Sequence, residues 1–447
     1  PAPKPLRGER RLAGVAPPLR RALWIATLAN LARIHERSCV SVFRAMGNMA
    51  SEGAVLALQG ALYALTLIVA VAWIRDAGDA FLALLLLFGG IHMVTTRRDW
   101  SVWHALILVV LSASVLNSAL RYGEVTRWAL FNKYLGIVVL LLLYLCVVQY
   151  THSLSTIRQV ARLVVLSVVL QAMLALPLYI VGLRYAPLYV PRIQGLAADP
   201  NAYGGLIVMA LALHWATVNT NARLVPRLLA WPVTVVLLCN LLFSFSRSSW
   251  IAFAFVACVT PILRRRSWAH VIAPIGLATV LVLLFFRSYF AAEMWPLVAR
   301  PSQVVGRFTI LEKAVEAFVA HPITGAGLGS YLQEYGLQVH NTLFWMLAEM
   351  GVVGAVVFVG FALTFVIRGW RAYRMTDEEN KGVVAGLLVA HLAMLGLSLG
   401  IEALYQRSWW VVMALLNASW ALASVPSARA SSFIDGLSTD TRMSVGS

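Results

Sequence analysis

Twelve stretches of this 447-residue chain are apolar over lengths close to the thickness of a bilayer core. Crossing the hydrocarbon takes roughly 20 apolar residues in a helix. Backbone groups in lipid must find their partners within the segment, so such runs have almost no option but to be helical. The runs cover 53–74, 80–96, 102–120, 129–149, 161–183, 203–219, 228–245, 249–263, 269–286, 341–367, 383–402 and 408–425. They predict an all-α polytopic membrane protein with about twelve transmembrane helices. Charged residues make up 12% of the chain, about half the usual share in soluble domains. The 15 Trp residues suit membrane interfaces. A net charge of +17 would suggest nucleic acid in a soluble protein; on this background it reads as basic loops that set topology and meet anionic lipid. Of the four cysteines, Cys146, Cys239 and Cys258 lie in apolar runs without C-x-x-C spacing. They read as packing residues rather than metal ligands or disulfides.

Residues 1–51 are basic, and the apolar run 22–34 is too short to span; an interfacial, cytoplasmic segment is expected there rather than a signal peptide. Twelve spans with the N-terminus inside put 24 of the 36 Lys and Arg residues on the cytoplasmic side and 12 on the other. The positive-inside rule therefore favours both termini in the cytoplasm. The expected organisation is a basic segment 1–51, spans one to nine over 52–286, an outer loop domain 287–340, spans ten to twelve over 341–426, and a cytoplasmic tail 427–447. The outer loop is the one long polar interruption.

Outer cations work against the topology signal, so their positions invite a second explanation. Arg184 and Arg192 follow the fifth run, Arg247 follows the seventh, and Arg287, Arg300, Arg307 and Lys313 occupy the long loop. Loops after odd-numbered spans share one side and can converge. A cluster of guanidinium groups there fits an anionic ligand such as phosphate or pyrophosphate, which Arg grips bidentately; anchoring to lipid headgroups is the alternative. Arg192 precedes Gly195 in a loop, where flexible backbone can bring it to a ligand. Asp199-Pro200-Asn201 reads as a turn and helix cap. Arg247 lies in the serine-rich turn Ser244-Phe245-Ser246-Arg247-Ser248-Ser249, where hydroxyls can satisfy backbone groups at membrane depth.

Within the long loop, Leu311, Ala314, Val315 and Phe318 recur at helical spacing, with Glu312, Lys313 and Glu316 as a solvated face. This predicts an amphipathic helix roofing the membrane, with Arg307 near its start. Gly325, Gly327 and Gly329 alternate in neither a Walker nor a dinucleotide-binding pattern, and read as a flexible turn. His340-Asn341 opens the tenth run. An imidazole at a helix N-terminus is disfavoured in its charged form, which suits a general base near neutral pH. Glu349 lies about two turns further on, too far to touch His340, and reads as a buried hydrogen-bonding partner for a neighbouring span. No i,i+4 histidine pair and no outer Asp-x-Asp is present, so no metal is expected.

The order Arg192-x-x-Gly195, Ser244-x-Ser246-Arg247, His321-Pro-x-x-Gly325-x-Gly327-x-Gly329 and His340-Asn341-x-x-Phe344 resembles the O-antigen ligase and polymerase superfamily, over roughly residues 180–360. The family's Leu in the last motif is here Leu343, displaced by one position. The span count resembles the ligase branch best. The resemblance implies a C-type glycosyltransferase-like membrane fold in the bacterial inner membrane with the site on the periplasmic side. It implies metal- and nucleotide-independent, inverting transfer of O-antigen from undecaprenyl pyrophosphate to lipid A–core oligosaccharide, without a cofactor. His340 would be the catalytic base; Arg192, Arg247 and Arg307 would bind the donor pyrophosphate, with Asn341, Ser246, Lys313 and Arg300 supporting. An O-antigen polymerase or a protein O-oligosaccharyltransferase would carry similar motifs. A transporter of lipid-linked glycan would instead need cations deep in a cavity reachable from both faces.

Overall fold

The computed structural model describes residues 101–184, 192–195, 197, 199–264, 272–281 and 301–424, all in the compact unit Leu65–Ser447. The expected interfacial segment, the first two spans, the cytoplasmic tail, Arg287 and Arg300 lie outside the described residues. No strand occurs among the described residues, as the apolar runs require.

Twelve α-helices make up the described chain. They are α1 (Val102–Tyr122), α2 (Leu135–Tyr150), α3 (Leu154–Arg184), α4 (Pro200–Thr217), α5 (Ala230–Phe243) and α6 (Arg247–Arg264). They continue with α7 (Ile272–Leu281), α8 (Pro301–Ala320), α9 (Ser330–Tyr335), α10 (Thr342–Met375), α11 (Lys381–Leu397) and α12 (Arg407–Ala423). A π-helical turn, Ala129–Tyr134, runs straight into α2. Four helical segments are long and apolar enough to cross a membrane: Val102–Tyr122, Ala129–Tyr150, Leu154–Val181 and Thr342–Met375. Arg227–Phe243, Ile272–Leu281 and Lys381–Leu397 are shorter apolar helices.

Helices α4 and α11 form the centre. From Tyr203 to Thr217 every residue of α4 is buried, and α11 is buried on nearly all sides. A helix apolar all round belongs inside a bundle. They pack on each other and on α6, while α10 packs on α1, α11 and α12, and α2 on α12. Small residues permit the close approach: Gly386 of α11 lies against the backbone of Leu213 in α4, and Gly382 against Ala216 and Thr220. Facing the other way, α10 exposes Val352, Val356, Val359, Leu363 and Ile367 at spacings of three and four, an outward apolar stripe.

Helix α10 is broken at Gly351, whose φ of 66° lies in the left-handed region. The break is filled by the backbone of the glycine turn. Ala326 N donates to Ala348 O at 2.9 Å, Gly327 N to Glu349 O at 3.0 Å, and Val352 N to Pro322 O at 2.8 Å. From α1, Ser114 Oγ donates to Glu349 O (2.9 Å), Asn117 Nδ2 to Gly325 O (2.9 Å) and Ser118 Oγ to Leu328 O (2.8 Å). Residues 325–330 are buried. The sequence-based reading of a flexible turn is therefore corrected: the glycines let main chain pack against main chain, and the turn is a rigid buckle between α1 and the two halves of α10. Glu349 belongs to the same buckle. Its Oε2 accepts from Gly329 N (2.9 Å) and Trp345 Nε1 (2.7 Å), so its side chain joins this turn to its own helix, while its carbonyl takes the bond from Ser114 of the neighbouring α1.

Candidate functional site

Several polar termini meet at one end of the bundle: the N-terminus of α4, the turn between α5 and α6, helix α8, and the N-terminus of α10. At α4, Asp199 caps the helix, its Oδ2 accepting from Ala202 N at 3.1 Å. Its Oδ1 accepts from Asn201 Nδ2 at 3.1 Å. Asn201 Oδ1 in turn accepts from Arg192 Nη2 (2.9 Å) and Ser246 Oγ (2.8 Å). Arg192 Nε donates to Ser244 O at 2.8 Å, and Ile193 N to Phe243 O at 3.0 Å. The loop of Arg192 is thus fastened to the α5–α6 turn. Its expected flexibility is also corrected: a side chain on Gly195, at φ 55°, would run into Tyr203 and Gln171.

That turn is held from inside. Ser246 Oγ accepts from Ser249 N (3.2 Å) and Ser249 Oγ (2.8 Å), and Ser244 Oγ accepts from Ser246 N (3.3 Å). Phe245 has φ 46°, an uncommon conformation for an aromatic residue. Such strain, of about 1–3 kcal/mol, survives where neighbours over-determine the backbone. The result is that Arg247 starts α6 half-buried and aimed at the shared end.

Helix α8 starts at Pro301, and Arg307 lies almost two turns in, half-buried. The inner face carries Ala314 and Ala317, while Val315 is exposed beside Glu312 and Glu316, a correction to the expected register. Lys313 sits on the inner side with its ammonium 5.0 Å from the Tyr335 ring centre, because α9 presents that ring to it. Burial lowers the Arg307 pKa from its ordinary value, the neighbouring charge of Arg247 lowers it further, and Asp199 opposes both. Two guanidinium groups and one carboxylate therefore share a field.

Asn341 caps α10, its Oδ1 accepting from Phe344 N at 3.1 Å. Its Nδ2 donates to Leu399 O at 2.9 Å. His340 stands just outside that cap, accessible but crowded. Desolvation lowers its pKa below 6.5, with Arg307 the next cause and Lys133 another, against an opposing pull from Asp199. The imidazole is neutral at neutral pH and accessible to a substrate, which is what a base needs. Arg247, Arg307, Asp199 and His340 are thus coupled electrostatically, and Arg192 and Ser246 join them through Asn201. Asn341 acts as cap and tether, and His321, 3.2 Å from Arg121 Nη2, opens the glycine buckle.

Lys133 and Glu402 were not singled out from the sequence, and Asn201 was read there only as part of a turn and cap. Asn201 ties two loops together. Lys133, buried in the π-helical turn, is ion-paired with Glu402 from the loop between α11 and α12. The available signal was a lysine inside an apolar run of spanning length, a position where charge is a functional flag.

The described residues form an all-helical bundle with four helices long and apolar enough to cross a membrane, and they bring arginines and His340 together at one end. Residues 232–359 match the family model described as O-antigen ligase. The matched stretch includes Arg247, Arg307, His340 and Glu349 and leaves Arg192 and Lys133 outside. No curated protein matches the chain.

Proposed function

We propose that the protein is a periplasmic glycosyltransferase of the bacterial inner membrane that moves O-antigen from undecaprenyl pyrophosphate to a sugar hydroxyl of lipid A–core oligosaccharide. The observation that carries this is the convergence of Arg247, Arg307 and His340 at one end of the bundle, where Arg307 feels the charge of Arg247 and His340 feels that of Arg307. Pyrophosphate is already a competent leaving group, so the reaction needs charge neutralisation and a base rather than a new nucleophile. Arg247 sits close enough to Arg307 to raise the cost of the Arg307 charge. A bound dianion removes that repulsion, and a preorganised cationic site gains most when charge develops on the leaving oxygen. Arg192 adds its charge from behind the α5–α6 turn, where Asn201 and Ser244 hold it.

In the step itself, neutral His340 takes the proton of the acceptor hydroxyl. That oxygen bonds to the anomeric carbon of the donor as the carbon–oxygen bond to pyrophosphate breaks. The electron pair leaves with undecaprenyl pyrophosphate, and attack from the opposite face inverts the centre. Both substrates are anchored in lipid, which holds them at one depth and lowers the entropic cost of meeting. Twelve spans in a C-type glycosyltransferase-like arrangement, with both termini cytoplasmic, complete the proposed topology.

Purified protein in liposomes with lipid-linked glycan and lipid A–core, without ATP or added metal, tests the proposal. A lipid A–core product carrying the glycan supports it. Lengthened lipid-linked glycan with no lipid A–core product would assign the site to a polymerase, glycan on protein to an O-oligosaccharyltransferase, and glycan moved across the bilayer unchanged to a transporter.

A further inference from the structure

Lys133 lies in the π-helical turn before α2, a type of turn that recurs at functional sites. Its side chain is buried, and its ammonium meets the carboxylate of Glu402. Three rings surround the same ammonium: Trp345 at 4.5 Å, Tyr405 at 4.7 Å and Trp128 at 4.8 Å from the ring centres. A charge so fully enclosed is costly to build and is not in the transfer chemistry described above.

The loop that carries Glu402 explains what the pair does. Residues 398–403 lie along the first turn of α10. Thr342 N donates to Ser398 O (3.0 Å), Asn341 Nδ2 to Leu399 O (2.9 Å) and Thr342 Oγ1 to Ile401 O (3.1 Å), and Ala403 N donates back to Thr342 Oγ1 at 3.1 Å. Every one of these bonds holds one of the two residues after His340. The same loop reaches the opposite wall, where Gly400 packs on Ser248, the residue after Arg247. Trp345, one of the three rings, is itself fixed by Glu349 through its Nε1 at 2.7 Å.

We infer that the Lys133–Glu402 pair is a latch: it locks the 398–406 loop against α10 and so makes Lys133 and Glu402 positioning residues for His340. The inference rests on the reading of His340 as the base. It touches no substrate and asks for no new chemistry. Charged groups facing the imidazole are Arg307 from α8, Asp199 from the α4 cap and Lys133 from the π-helical turn, with Arg247 of α6 acting on Arg307.

The test compares Lys133→Met, Glu402→Gln and the double variant, each in the reconstituted transfer assay and by hydrogen exchange. Methionine keeps an apolar stem among the rings while removing the charge. Both single variants should lower kcat by about 10²-fold, the scale expected when a catalytic group is misplaced by about 1 Å, with donor KM little changed. Exchange should rise at 341–345 and 398–403. In Lys133→Met the acid limb of the rate profile should also move to higher pH, because a cation near the imidazole is gone. The double variant should stay slow. If it recovers wild-type kcat, the pair is only a buried charge balance; unchanged exchange with unchanged kcat in both single variants also overturns the latch. Should Lys133→Met fail to reach the membrane, Glu402→Gln, which leaves the ammonium in its ring cage, carries the test. Wild-type protein that transfers nothing sinks the glycosyl-transfer reading instead, and exchange still decides whether the pair locks the loop.

Discussion

Replacing Arg192 by Lys separates charge from geometry at the candidate site. The guanidinium makes two divergent contacts, Nε to Ser244 O at 2.8 Å and Nη2 to Asn201 Oδ1 at 2.9 Å. An ammonium carries the same charge on a single atom without the planar fork, so it does not reproduce both contacts at the guanidinium's spacing. A hydrogen bond from a charged donor is worth about 1.5–3 kcal/mol. Losing one frees either the Asn201 hub or the carbonyl before the strained Phe245, and both feed the placement of Arg247. If the whole loss appears in the transition state, kcat/KM falls about ten- to a hundred-fold, at about 1.4 kcal/mol per decade. The assay is transfer by membrane-reconstituted protein, with donor and acceptor varied separately and protein amount checked by blot. Since Arg192 acts on the donor side, any change in KM should appear with donor rather than with acceptor. Full activity of the Lys variant would refute the reasoning and leave Arg192 as a simple counter-charge.

His340 supplies a pH prediction. Desolvation by its crowded surroundings, Arg307 and Lys133 hold its pKa below 6.5, and a base works in its neutral form, so the rate should rise as pH rises through a pKa below 6.5 and be flat at neutral pH. Arg307→Gln removes a cation that disfavours the imidazolium, so the residual activity should show its acid limb at higher pH; an unmoved limb would detach His340 from the profile. Gly351→Ala should be poorly tolerated. Its φ is 66°, and a Cβ there would meet the backbone of Ile323 and Gly325, which cannot yield like a side chain. We expect lower membrane levels and a thermal midpoint lowered by several degrees, and a variant as stable as wild type would contradict the buckle. Asn341→Ala removes the α10 cap and should cost about 1 kcal/mol, read from the same thermal scan, with kcat falling as His340 loses its neighbour's tether.

Much of the helical framework could be read from the chain because lipid leaves apolar runs few options. The candidate residues Arg247, Arg307 and His340 were readable for a related reason: cations and a histidine beside such runs stand out against them. Asp199 was recognisable as a cap because capping is local, within three residues. What the sequence hid was long-range. The three alternating glycines resemble any loose turn, yet their meaning lies in Ser114, Asn117 and Ser118, more than 200 residues away. Lys133 and Glu402 are 269 positions apart, each at the edge of an apolar run, and nothing local marks them as partners. The register of α8 was misread at Val315 because a helix beside a membrane can expose apolar side chains on its outer face, so apolar spacing there does not identify the packed side.

Donor binding, measured apart from transfer, tests the division of labour at this site most directly. Undecaprenyl pyrophosphate would be titrated against wild-type protein, His340→Ala and the double variant Arg247→Gln with Arg307→Gln, all in the same nanodiscs, with transfer followed in parallel. The arginines are predicted to hold the pyrophosphate and His340 to take the proton. His340→Ala should therefore bind donor as wild type does while transferring about 10²–10⁴-fold more slowly. The arginine variant should lose donor binding. Equal donor affinity in all three proteins, or near-normal transfer by His340→Ala, would contradict the account.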